Sequence, residues 1–135
     1  MAMQTFVNLP VRDLTKATEF FKALGFSFDP EFTDENATRM IVSDETSVML
    51  AAKPFFETFI TPQKVADTSQ SREVVIGLSA ESREQVDELA DAATAAGGEA
   101  LGDPEDQGFM YMRGFTDLDG HQWSFIYMDM SAIPQ

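Results

Sequence analysis

The sequence predicts an α+β fold made of two tandem βαβββ modules, and three observations carry that prediction. A period-two apolar pattern starts at residue 5 and again at residue 73, a capped amphipathic helix follows each, and a hairpin pattern closes each. A single domain of 135 residues is expected, with one module over about 5–52, a connection over about 53–72 and a second module over about 73–129.

Residues 5–11 (TFVNLPV) read as a strand with Val7, Leu9 and Val11 on one face and Phe6, Asn8 and Pro10 on the other. Pro10 donates nothing to a ladder and belongs near the strand's end. Asp13 sits where an N-cap belongs, Leu14, Ala17, Phe20, Phe21 and Leu24 follow at helical spacing, and Gly25 supplies a left-handed stop. A short strand over 26–29 precedes a hairpin of 38–43 and 47–52 around Asp44-Glu45-Thr46. The stretch 53–70, with Phe55, Phe56 and Phe59, is either a packed loop or one that contains a short helix. The theme then returns. Residues 73–80 alternate, and Ser82 and Gln85 make a capping box. Val86, Leu89, Ala93 and Ala96 form a buried stripe that ends at Gly97-Gly98. Residues 109–115 and 121–128 pair about Asp117-Leu118-Asp119-Gly120, and a tail begins at Ser131. Moving the second half back by 69 positions lays Ser82 on Asp13, Val86 on Ala17 and Leu89 on Phe20. In the hairpins a shift of 74 lays Arg113 on Arg39 and Ser124 on Leu50.

The chain carries 9 Lys+Arg against 23 Asp+Glu, a formal charge of -14 spread along its length. That field repels phosphate backbones and anionic headgroups, so neither nucleic acid nor a membrane is an expected partner. The absence of cysteine excludes disulfides, thiolate nucleophiles and Cys-ligated zinc. No basic and apolar leader precedes the first strand, and no apolar run approaches the ~20 residues of a membrane span, so a cytoplasmic protein is expected.

Two segments, NLPVRDLTKATEFFKALGF at 8–26 and DLDGHQWSFIYMD at 117–129, resemble the opening and closing motifs of the vicinal oxygen chelate superfamily. This is the family of glyoxalase I, the extradiol dioxygenases and the bleomycin-resistance proteins. The resemblance spans nearly the whole chain and is weak between 53 and 72. It implies two βαβββ modules that form an incompletely closed barrel around a cleft, commonly in a homodimer. It also implies metal-ligand positions, a His or Gln near the start of each module's first strand and a Glu near the middle of each last strand. Transferred through the flanking motifs, these fall on Phe6, Leu50, Val75 and Ser124. None is a good donor to a divalent ion, so no metal and no cofactor are expected. A slip of two residues keeps the face and would instead place Gln4 and Glu73 there.

Strand parity then yields the expected cleft walls: Phe6, Asn8, Leu50, Val75, Ser79, Gln122, Ser124 and Ile126, with Phe55, Phe56 and Phe59 as a lid. Trp123, Phe125 and Tyr127 fall on the other face, toward the core. Arg39 and Arg113 form either a paired anion clamp or two separate partners for nearby carboxylates. His121, the one histidine, is a turn residue held by backbone or a general base at the cleft mouth. The expected function is binding or sequestration of a small molecule, by comparison with the bleomycin-resistance proteins and with attraction of a cation by the acidic surface. The alternative is a lyase, isomerase or dioxygenase of the same superfamily that works with or without a metal.

Overall fold

The computed structural model describes residues 3–132. In chain order the elements are β1 (Thr5–Val11), α1 (Leu14–Ala23), β2 (Ser27–Asp29), β3 (Ala37–Ile41), β4 (Thr46–Ala52), α2 (Lys53–Ile60), β5 (Val75–Ser79), α3 (Arg83–Ala95), β6 (Glu99–Asp106), β7 (Met110–Thr116) and β8 (Gln122–Met128). Single 3-10 turns occupy Pro30–Phe32 and Met130–Ala132. The second of these lies in the expected tail, whose last residues, 133–135, are outside the described ones. The chain divides into two compact units at Asp67/Thr68, within the connecting segment. Among the described residues no helix is long and apolar enough to cross a membrane.

Each unit holds one open four-stranded sheet, ordered β1-β4-β3-β2 in the first and β5-β8-β7-β6 in the second. The first strand of each runs parallel to the fourth, and the remaining pairs are antiparallel. A parallel pair needs a crossover, and the intervening segment with its helix supplies it. The crossover helices α1 and α3 each start at a side-chain cap. Asp13 accepts the amide hydrogen of Lys16 at 3.0 Å, and Ser82 accepts that of Gln85 at 3.0 Å. The Gln85 side chain turns back to accept the amide of Glu81 at 2.6 Å, one residue before the usual capping-box donor. Gly25 and Gly97, at φ 102° and 109°, take the left-handed conformation that ends each helix.

The pleat sorts side chains onto two faces. In the first sheet Val7, Leu9 and Val11 pair across the parallel ladder with Val48, Leu50 and Ala52. Leu9, Val11, Val48 and Leu50 are all buried with Ala17, Phe20, Phe21 and Leu24 of the α1 segment. In the second sheet Ile76 and Leu78 pair with Trp123 and Phe125, beneath the buried Val86, Ala90 and Ala93 of α3. The opposite faces carry Phe6, Asn8, Ser47 and Met49 in one unit and Val75, Gly77, Gln122 and Ser124 in the other.

The register corrects the internal alignment. A shift of 69 holds for the first strands and helices, but Asn8 pairs with Met49 while Gly77 pairs with Ser124. Met49 is therefore the counterpart of Ser124, and the hairpin shift is 75 where 74 was expected. β6 has no counterpart among the segments assigned from the sequence: EALGDPED pairs with β7 through a register break between Leu101 and Glu105.

The turn into β8 is held by a cluster of hydrogen bonds. The Asp117 carboxylate is 6% exposed and accepts hydrogen bonds from the indole of Trp123 at 2.9 Å, from the Asp119 amide at 2.9 Å and from the His121 amide at 3.0 Å. Burial pushes this carboxyl up, against the opposing pull of His121 and the three donors. The connecting segment is pinned to the same turn: Thr68 donates to the Asp119 carbonyl at 2.6 Å, and Arg72 donates to the Gly120 carbonyl at 3.1 Å.

Two outcomes follow for chemical denaturation. Asp117→Asn places an amide donor against one of the three N–H groups and is expected to cost about 1–3 kcal/mol. A variant as stable as the parent would show that this carboxylate does not hold the turn. Gly120→Ala puts a methyl group into Thr68 at φ 79° and is expected to lose more than ~1 kcal/mol.

Candidate functional site

The open face of the second sheet contains a hollow of about 330 Å³ lined by Val75, Leu101, Asp103, Pro104, Glu105, Met112, Gly114, Gln122 and Ser124. Its floor is a consequence of register. Gly77, Ser124 and Gly114 pair in one row across β5, β8 and β7, so the central serine has no side chain on either flank. A Cβ on Gly77 would lie 3.4 Å from the Ser124 hydroxyl and 3.2 Å from Ile126 Cδ1. Ser124 is 6% exposed, and its hydroxyl has no hydrogen-bond partner among the described residues. Every fully enclosed polar side-chain atom among those residues does have one, so the hydroxyl opens into the hollow.

The wall opposite β5 comes from the irregular part of β6. Leu101 pairs with Gly114 and Glu105 with Met112, so four positions on β6 face two on β7 and two extra residues are taken up between them. Gly102, at φ 66°, permits the bend. Asp103, Pro104 and Glu105 are thereby set against the hollow.

Of the expected wall residues, Val75, Gln122 and Ser124 meet in this hollow. Ser79 and Ile126 share their face one row further along without lining it. Phe6 and Asn8 lie on the open face of the first sheet, where Phe6 is 49% exposed. Phe55, Phe56 and Phe59 lie on α2, which contacts β1 and β4, and Phe59 packs edge-on to Phe55 with ring centroids 5.0 Å apart.

Leu50 does not face the open side. It is fully buried on the helix-covered face, and Met49 takes the open position. In the segment SVMLAA both faces are apolar, so alternation carried no mark of which residue points where. Of the two readings of Arg39 and Arg113, the structure shows the separate carboxylate partners and not the paired clamp. Arg39 pairs with Met49 on the open face, where its Nε donates to Ser47 at 2.8 Å and its Nη1 to Asp29 at 3.3 Å. Its guanidinium lies 5.5 Å from the Phe6 ring centre and 5.4 Å from that of Phe32. Arg113 pairs with Phe125 on the helix side and donates to Asp87 at 3.2 Å and Asp91 at 3.0 Å. The Tyr111 hydroxyl also donates to Asp87, at 2.7 Å. This bond, with Arg113, holds the Asp87 carboxyl below its ordinary value.

At the metal positions that the resemblance implies, the register places Phe6, Met49, Val75 and Ser124. A phenyl ring, a thioether, an isopropyl group and one hydroxyl do not fit a divalent ion, which requires several converging N or O donors. Gln4 and Glu73, the alternatives one pleat earlier, are exposed and precede the first residues of β1 and β5. The His121 amide donates to the Asp117 carboxylate and its carbonyl accepts from the Asp117 amide, each at 3.0 Å.

Residues missed in the sequence lie on β6 and β7. Leu101, Asp103 and Glu105 sit in a segment without strand-like composition, although a module of strand, helix and three strands requires a strand there. Met112 and Gly114 follow from the parity of Thr116 opposite Gln122.

A family model described as the Glyoxalase/Bleomycin resistance protein/Dioxygenase superfamily matches residues 4–125. Among solved structures, a hypothetical protein from S. aureus is 30% identical, with a TM-score of 0.78 over 94% of this chain and 93% of that one. A glyoxalase/bleomycin resistance protein/dioxygenase family enzyme from Burkholderia phytofirmans PsJN is 16% identical, with a TM-score of 0.78 over 94% and 99%. The fosfomycin resistance protein FosX of Listeria monocytogenes is 19% identical, with a TM-score of 0.68 over 97% of both chains. The last two similarities concern the fold alone. No protein of curated function matches the chain.

The Asp87 site makes an acid-limb prediction. A carboxyl held below its ordinary value of 3.8 in the folded state contributes stability above that pH and loses it as the pH falls through the folded value. Asp87→Asn is expected to be less stable than the parent at neutral pH, with the difference shrinking as the pH falls below about 4. Urea midpoints across that range check it; a constant difference would mean that Asp87 is not held by Tyr111 and Arg113.

Proposed function

Because the chain belongs to the glyoxalase/bleomycin resistance protein/dioxygenase superfamily, we propose that it binds and sequesters a small molecule in the hollow of its second unit, without a metal at the family's ligand positions. The observation that carries this reading is the row Gly77–Ser124–Gly114. The missing side chain at Gly114 leaves space beside a hydroxyl that has no hydrogen-bond partner among the described residues. A volume of about 330 Å³ is at the lower end of what holds a small ligand. The lining combines aliphatic and thioether carbon with the polar side chains of Asp103, Glu105, Gln122 and Ser124, which can fix orientation. The four donor-poor positions support binding over ion-assisted chemistry. Homodimerisation and a cytoplasmic location are proposed with this reading, on the resemblance to the superfamily.

The test is to fill the hollow. Gly114→Val adds a branched side chain that suits a strand and projects into the space above Ser124. A library of small organic compounds is screened by melting temperature against the parent, and hits are repeated on the variant. Compounds that raise the parent's melting temperature by several degrees and leave Gly114→Val unchanged are expected, recovered chemically intact after incubation. Equal shifts for both proteins would place the ligand elsewhere, and a converted compound would replace sequestration with catalysis.

A further inference from the structure

Within the binding reading just given, on which this step rests, we infer that the hollow selects a small organic cation, an ammonium group on a compact apolar body. Two carboxylates, Asp103 and Glu105, stand at one wall, and among the described residues no Lys, Arg or His lines the space. The acids on α3 and at the β6–β7 turn differ: Asp87 and Asp91 bond Arg113, and Asp106 bonds Arg83 at 2.8 and 3.1 Å. Asp103 and Glu105 have no hydrogen-bond or ion-pair partner among the described residues. On the floor of the same hollow, Ser124 is more than nine-tenths buried and its hydroxyl has no hydrogen-bond partner among the described residues. A hydroxyl both donates and accepts, whereas a carboxylate only accepts, so a ligand that satisfies all three must bring N–H or O–H donors. Positive charge on that donor also answers the two unpaired negative ones.

The remaining surface sets the body of the ligand. Val75, Leu101, Pro104 and Met112 are aliphatic or thioether groups, so the ligand's non-polar part packs against carbon. The volume restricts it to a compact amine and leaves no room for a large polycationic glycopeptide. The formal charge of -14 draws a cation toward the surface and repels an anion of the same shape.

Three probes of one shape separate charge from fit: phenethylamine, phenethyl alcohol and hydrocinnamate. Each is titrated into isotopically labelled protein, and the backbone amide shifts of Met112, Gly114 and Ser124 are followed at low and moderate salt. The ammonium probe is expected to bind roughly tenfold more tightly than the alcohol, about 1.4 kcal/mol, with the carboxylate weaker than both. Asp103→Asn combined with Glu105→Gln is expected to bring the amine down to the level of the alcohol while the fold is kept, since both side chains are exposed. Ser124→Ala is expected to weaken amine and alcohol alike. If the alcohol binds as tightly as the amine at these same residues, selection of a cation is refuted and the hollow stands as a neutral binding site. If none of the three moves these amides, the hollow is not a binding site, and both readings fall.

Discussion

The bond from the Trp123 indole to the buried Asp117 carboxylate fixes the parity of β8, and the open face of the second sheet depends on that parity. A carboxylate buried beside three N–H donors is costly to disconnect, because each lost partner leaves a desolvated group behind. With Trp123 held inward, Phe125 follows two residues later, and Gln122, Ser124 and Ile126 are directed to the opposite side by the pleat. A slip of one residue would bury the serine beneath α3 and expose the indole. The same turn anchors the connecting segment through Thr68 and Arg72, so chain entry into the second unit and the direction of its last strand share one set of bonds.

The two units show how one scaffold is used in two ways. Equivalent rows cross their open faces: Asn8–Met49–Arg39 in the first and Gly77–Ser124–Gly114 in the second. Long side chains fill the first row, and its arginine is spent on Ser47, Asp29 and two aromatic rings. The second row is nearly bare. The strand order is the same in both, so the hollow arises from the small side chains of this row together with the irregular course of β6, which brings two carboxylates to its wall. Ion pairs in the second unit, from Arg83 and Arg113, go instead to holding α3 and the β6–β7 turn.

What could be read from the sequence divides along physical lines. Caps, glycine stops and buried helical stripes are local signals, and Asp13, Ser82, Gly25 and Gly97 lie where their chemistry places them. Parity was legible where the two faces differ in polarity, as in QWSFIYM, and illegible in SVMLAA, where both are apolar. That single ambiguity displaced Leu50 and set Arg113 opposite Arg39. β6 was hidden because Gly102, Asp103 and Pro104 are residues of bends, and here they mark a strand interrupted by one. The carboxylate wall therefore lay in a segment to which sequence patterning gave no element.

The orientation of side chains on the two sheets is open to direct measurement, since the chain contains no cysteine to interfere. Single replacements Met49→Cys, Leu50→Cys, Val75→Cys and Ile76→Cys, treated in the folded state with a small thiol reagent, report which of each neighbouring pair faces solvent. Rapid modification at 49 and 75, with 50 and 76 protected until denaturant is added, is the predicted pattern. Rapid labelling at 50 or 76 in the folded protein would reverse the faces and remove the hollow from the account.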